Sequence, residues 1–137
     1  MIMDDFLVMS DAQAVTSSAA STSYIDTLAA GDAISPGARL KVGINTAFVT
    51  GDSATLTVAL QTDDNSSFSS AKTLLTTSAL DVTDIDAAGD SVLDLVIPSG
   101  VERYLRVYYT VGTGSFSAGN IDARIVIDTS KTMDKQL

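Results

Sequence analysis

The 137 residues include no cysteine, no histidine and no tryptophan, and only two prolines. Each absence closes off a line of chemistry. Without cysteine there is no disulfide, no zinc–thiolate site and no thiol nucleophile. Without histidine the commonest general base, proton shuttle and metal ligand is missing. An enzyme built on this chain would have to work with carboxylates, Lys, Tyr, Ser or Thr alone. Positive charge is scarce as well: eight basic residues stand against seventeen acidic ones, a net charge of −9. Nucleic-acid binding draws its affinity from basic clusters that displace counterions, so neither nucleic acid nor an anionic membrane is an expected partner. No apolar run approaches the roughly 20 residues of a membrane-spanning helix. Met1 to Ser10 carries Asp4 and Asp5 and no basic residue, the first being Arg39. That is not the pattern of a secretory signal, and synthesis in the cytoplasm is expected.

What the chain does have is alternation. Leu40, Val42 and Ile44 share one face, with Arg39, Lys41 and Asn45 on the other. Leu56, Val58 and Leu60 alternate with Thr55, Thr57 and Gln61, and Leu93, Leu95 and Ile97 oppose Asp94. Leu105, Val107, Tyr109 and Val111 alternate with Tyr104, Arg106, Tyr108 and Thr110. Ile121, Ala123, Ile125 and Ile127 face away from Asp122, Arg124 and Asp128. A period of two residues with one apolar side describes half-buried antiparallel strands. Weaker strands are expected at Ile2 to Val8, near Ser23 to Thr27 and at Lys72 to Thr77. Turn chemistry separates them at Ser35-Pro36-Gly37, Thr50-Gly51-Asp52, Gly89-Asp90, Pro98-Ser99-Gly100 and Gly112 to Gly119. About eight short strands with frequent turns predict an all-β, antiparallel β-sandwich or jelly roll with an extended N-terminal segment, and strands alone do not choose between those topologies. A single domain spans residues 1–128, with residues 1–20 as a candidate arm; residues 129–137 lose the alternation and form a flexible tail.

Few residue groups suggest chemistry. In the acidic run Asp81 to Asp90, the residues Asp84, Asp86 and Gly89 match positions one, three and six of a calcium-binding loop. Position five is Ala88 and position twelve is Leu95, so two ligands are missing, including the bidentate one. A solvated loop is the simpler reading, and no metal or cofactor is expected. Asp63-Asp64-Asn65 reads as a turn whose short side chains bond their own backbone. Glycoside hydrolysis needs a positioned carboxylate pair, but Glu102 is the sole Glu and no spacing singles out a pair of Asp. A nucleophilic Ser needs a base, and Lys41 and Lys72 read as ordinary outward lysines. Gly112-Thr113-Gly114 leads to a strand at Ile121 and not into a helix, so it reads as a hairpin loop and not a phosphate cradle. No catalytic residue is expected. Tyr104, Arg106 and Tyr108 share the outer face of a strand whose other face is core. Tyr and Arg are enriched at protein interfaces; the plainer alternative is that they cover an exposed sheet. Phe6, within the apolar run Phe6 to Met9, and Phe116 join them as interface candidates.

The order of these features resembles a known family. Ser10-Asp11-Ala12-Gln13-Ala14-Val15-Thr16 resembles the N-terminal signature of tailed-bacteriophage capsid cement (decoration) proteins. Leu60 to Asn65 followed by Phe68-Ser69-Ser70 is similar too, as is the segment Gly100-Val101-Glu102-Arg103-Tyr104-Leu105-Arg106-Val107-Tyr108-Tyr109-Thr110-Val111-Gly112-Thr113-Gly114. Phe116 and Ala118-Gly119 follow, then an apolar last strand. The resemblance implies a structural virion protein with a jelly-roll-like sandwich. It would bind the major capsid protein on the outer surface of the expanded shell and stabilise it against the pressure of packaged DNA. It would also associate with itself, as homodimer or homotrimer, at capsid symmetry axes. Two other readings remain. A β-sandwich with polar turns suits a glycan-binding module displayed on the virion, although sugar platforms stack on aromatic faces and Trp is absent. A carboxylate-only hydrolase is the third.

Overall fold

The computed structural model describes residues 8–27 and 38–126. Most of the expected strand at Ile2 to Val8, Phe6, the Ser35-Pro36-Gly37 turn, Ile127, Asp128 and the tail lie outside the described residues. In chain order the strands are β1 (Val8–Ala14), β2 (Ala19–Ala20), β3 (Ile25–Asp26), β4 (Arg39–Val49) and β5 (Thr55–Asp63). They continue with β6 (Lys72–Thr76), β7 (Leu80–Asp81), β8 (Ser91–Val96), β9 (Tyr104–Gly112) and β10 (Ala118–Val126). One short 3-10 turn, Val82–Asp84, follows β7.

Two antiparallel sheets form, and their order is informative. Sheet one runs β1-β10-β4-β8; sheet two runs from β2 and β3 through β9 and β5 to β6 and β7. Taking β2 with β3 and β6 with β7 as split strands gives eight positions along the chain. The first then pairs with the eighth, the second with the seventh, the third with the sixth and the fourth with the fifth. The chain is thus one long hairpin wrapped on itself, the double-sheet jelly roll. The ten short strands observed among the described residues occupy eight positions, two of them interrupted; the first, Val8–Ala14, begins where the strand expected at Ile2 to Val8 ends.

The alternation sets which face is buried. Leu40, Val42 and Ile44 of β4, Leu56, Val58 and Leu60 of β5, Leu105, Val107 and Tyr109 of β9, and Ile121, Ala123 and Ile125 of β10 meet between the sheets. Each large apolar side chain so enclosed contributes about 1.5–3 kcal/mol. A slip of one residue would turn a whole set outward, so the register is strongly held. The loop after β7 is plugged into the core by Ile85, which is fully buried.

Three expectations need correction. Leu95 is not inward with Leu93: it is 47 % exposed, because β8 is the outermost strand of sheet one. Gly112 to Gly119 is not a hairpin loop, since β9 belongs to sheet two and β10 to sheet one. It arches across the core, and Gly119 makes that possible: its φ is +144°, and a Cβ there would collide with the Phe48 ring. The described part of residues 1–20 is not simply an arm. Part of it is strand, joined to β10 through Ala12 N–H donating to Asp122 Oδ1 (2.6 Å) and Asn120 Nδ2 donating to the Ala12 carbonyl (3.1 Å). Ala12 has φ +50° and β1 carries two register shifts, which hide it from a search for alternation.

Candidate protein-contact surface

β9 places Tyr104, Arg106 and Tyr108 on the outer face of sheet two, as the alternation requires, and all three are half-buried. The pairing of β5 with β9 sets Gln61 opposite Arg106. Arg106 Nε donates to Gln61 Oε1 at 2.8 Å. Its guanidinium carbon lies 4.4 Å from the Phe68 ring centre and 5.2 Å from that of Tyr108, within cation–π range. Tyr24 stands edge-on to Tyr104 (5.5 Å, 80°) and to Phe68 (6.1 Å, 65°). Arg103 closes one side, its Nε and Nη2 donating to the two oxygens of Asp26 at 2.8 and 3.1 Å. Its guanidinium is also 5.1 Å from the Tyr104 ring centre. The hydrogen bond to Asp26 raises the Arg103 pKa further above its ordinary value.

Local structure holds this cluster in place. The Asp63 carboxylate accepts from the backbone N–H of Asn65 (3.2 Å) and of Ser70 (2.8 Å). Asn65 Oδ1 in turn accepts from the Ser67 N–H at 2.9 Å. These are the side-chain-to-backbone bonds expected of Asp63-Asp64-Asn65, and the loop they shape delivers Phe68 beneath Arg106. Burial pushes the Asp63 carboxyl up, but the Ser70 N–H and the other hydrogen bonds outweigh it and hold the pKa below the usual range. Asp64 is pushed the other way by its hydrogen bond and proximity to Asp63. At the start of β9 the buried Thr62 hydroxyl donates to the Tyr104 carbonyl and accepts from the Glu102 N–H, both at 2.8 Å.

The charge arrangement around Arg106 differs from that of its neighbours. Arg39, Lys41, Lys72 and Arg103 each meet a carboxylate within 4 Å. Arg106 meets an amide oxygen and two rings, and most of its donors face outward in a chain rich in acids. Such a preformed aromatic–guanidinium surface can pack against and hydrogen-bond to a protein partner.

The other candidates fare differently. Phe116 is 3 % exposed and packs edge-on against Phe48 at 4.9 Å, so it belongs to the core and offers nothing to a partner. Phe6 lies outside the described residues. In the acidic loop, Asp84 Oδ2 accepts from the Asp81 N–H (3.1 Å), Asp86 is exposed, and Gly89 turns the chain at φ +93°. No three potential metal ligands converge among the described residues. An open groove of about 480 Å³ on the outer face of sheet one is lined by charges of both signs, among them Lys41, Asp90, Asp94, Asp122 and Arg124. Tyr24, Phe68, Arg103 and Gln61 are members of the cluster that the alternation did not reveal. Gln61 was readable as an outward residue, but its partner lies 45 residues away.

The model of the Bbp16 family matches residues 9–125, the span from β1 to β10 that builds both sheets. No curated protein matches the sequence.

Proposed function

The chain belongs to the Bbp16 family, and from its geometry and its resemblance to capsid cement proteins we propose that it clamps a tailed-phage capsid from outside. The observation that carries this reading is the aromatic–guanidinium cluster around Arg106, mounted on β9, which pairs with β5 along its whole length. Its rings and charges are held before any partner arrives, so little side-chain entropy is lost on docking. The partner in this reading is the major capsid protein of the expanded shell, with self-association at symmetry axes and no catalysis. A protein that binds only the expanded lattice stabilises that lattice by its binding free energy at every site. Modest contacts repeated over a shell therefore resist the outward pressure of packaged DNA. The acidic character suits an outer position, away from the packaged nucleic acid.

The same cluster weighs against the glycan reading. A sugar stacks on an open, flat ring face. Here the rings of Tyr24, Phe68 and Tyr104 stand at 65–80° to one another, and Arg106 already lies over Phe68 and Tyr108. The direct test mixes purified protein with expanded shells lacking it and sediments them. Co-sedimentation to a fixed stoichiometry at micromolar concentration is expected; protein left wholly in the supernatant would overturn the proposal.

A further inference from the structure

The other arginines of the chain show what a guanidinium takes here. Arg103 grips both oxygens of Asp26, its Nε and Nη2 donating at 2.8 and 3.1 Å. Arg39 holds Asp94 with a similar fork, from Nε to Oδ1 (2.8 Å) and from Nη2 to the backbone carbonyl (2.7 Å). Arg106 breaks the pattern. Its Nε donates to a neutral acceptor, Gln61 Oε1, at 2.8 Å, and neither Nη has a hydrogen-bond partner among the described residues. A shortage of acids is not the reason, since seventeen acidic residues stand against eight basic ones. The carboxylates on the strands beside β9 are committed elsewhere. Asp26 and Asp63 both register with Tyr104, two residues before Arg106. Asp26 belongs to Arg103, and Asp63 accepts from the backbone N–H groups of Asn65 and Ser70.

The remaining donors are held in place. The Gln61 bond fixes one edge of the guanidinium, and its carbon lies 4.4 Å from the Phe68 ring centre and 5.2 Å from that of Tyr108. The rings screen part of the guanidinium from water, so a charge-assisted bond formed at its free end is weakened less by solvent. The Nη groups form a planar fork whose spacing matches the two oxygens of one carboxylate. A phosphate matches the fork too, but it brings more negative charge to a chain already at −9, and the singly charged group is favoured. We propose that Arg106 is the receptor for a carboxylate of the partner, an Asp or Glu side chain of the shell protein, which completes its fork as Asp26 completes that of Arg103. The source of the carboxylate rests on the capsid reading; the receptor rests on the surroundings of Arg106 alone.

The receptor is tested on the full chain without shells. Nuclear magnetic resonance follows the arginine side-chain nitrogens while sodium acetate replaces sodium chloride at constant ionic strength. The Arg106 signal is expected to move further than those of Arg39 and Arg103, whose forks Asp94 and Asp26 already fill. Inorganic phosphate at the same ionic strength should move it less than acetate does. An Arg106 shift no larger than the other two, or a larger one with phosphate, overturns the proposal. The source is tested with expanded shells whose carboxylates are native or converted to neutral amides by carbodiimide and methylamine. On native shells the wild type should bind at least about tenfold more tightly than Arg106→Gln, the effect expected of a bidentate charge-assisted pair. On amidated shells that ratio should fall to near one. Taking the ratio cancels the general effect of altering the charge of the shell. A ratio that amidation leaves unchanged overturns the assignment of a shell carboxylate to Arg106. A wild type that ignores native shells fails the capsid reading instead, and the acetate comparison alone then decides on the receptor.

Discussion

Along β9 the inward residues Leu105, Val107 and Tyr109 are fully buried, while the outward residues Tyr104, Arg106 and Tyr108 are half-buried. The adjacent tyrosines show the contrast best. The Tyr109 hydroxyl is enclosed with Ser10 Oγ at 2.7 Å, and Ser10 Oγ donates to Gln13 Oε1 at 2.6 Å. With the Ser10 proton already committed, Tyr109 is the donor in that pair. Burial pushes its pKa far above the ordinary phenol value, so it stays neutral. Its bond ties β1 to the other sheet and is complete within the chain. Tyr108, one residue earlier, lies under a guanidinium whose remaining donors face outward. The inner face finishes its contacts on folding, and the outer face keeps some in reserve. Stability and binding should therefore respond to different substitutions on the same strand.

The largest effect on the folded side is expected from Leu105→Ala, which empties a fully buried position and should cost about 2–5 kcal/mol in chemical denaturation. Gly119→Ala should come close: the strained φ and the displaced Phe48 ring together cost about 2–4 kcal/mol, read in the same assay. Thr62→Val keeps the volume but strands the Glu102 N–H and the Tyr104 carbonyl, for a loss of about 1–3 kcal/mol. A loss near zero would mean that the start of β9 is not held by that hydroxyl.

Acidification should act at the boundary of the two regions. Asp63 has a folded pKa held below its ordinary value of 3.8. Its contribution is therefore present at neutral pH and fades as pH falls below about 4 and through the folded value. Asp64 is shifted upward and has the opposite sign, taking its proton first. Asp63→Asn should consequently lie below the wild type in melting temperature at pH 7 and approach it in strong acid. Parallel curves would show that the Phe68 loop does not depend on that carboxylate.

Much of the fold was legible because one physical signal, alternation under burial, marks β4, β5, β9 and β10 directly. It failed where burial did not decide the structure. β1 is held by Asp122, Asn120 and Ser10 as much as by its apolar residues, and Leu95 alternates correctly on a strand that is the outermost of its sheet among the described residues. The jelly-roll order depends on which distant strands pair, and periodicity says nothing about that. At the surface, Tyr104, Arg106 and Tyr108 could be placed on one face because they share a strand. Tyr24 and Phe68 reach them from loops, and the Gln61–Arg106 bond follows from a cross-strand register that one sequence cannot reveal. Phe116 was misplaced for a related reason: an aromatic residue in a glycine-rich segment reads as exposed until the segment is seen to cross the core.

Arg106→Glu tests the division of β9 most directly, with melting and shell binding measured on the same preparation. Losing two half-exposed cation–π contacts should cost about 1–2 kcal/mol, a shift in melting temperature of no more than about 8 °C. Co-sedimentation with expanded shells should fall at least about tenfold, the effect of losing roughly 1.4 kcal/mol of binding free energy. Undiminished binding by a folded Arg106→Glu protein would contradict the account and leave the outer face of β9 as no more than a cover for its sheet.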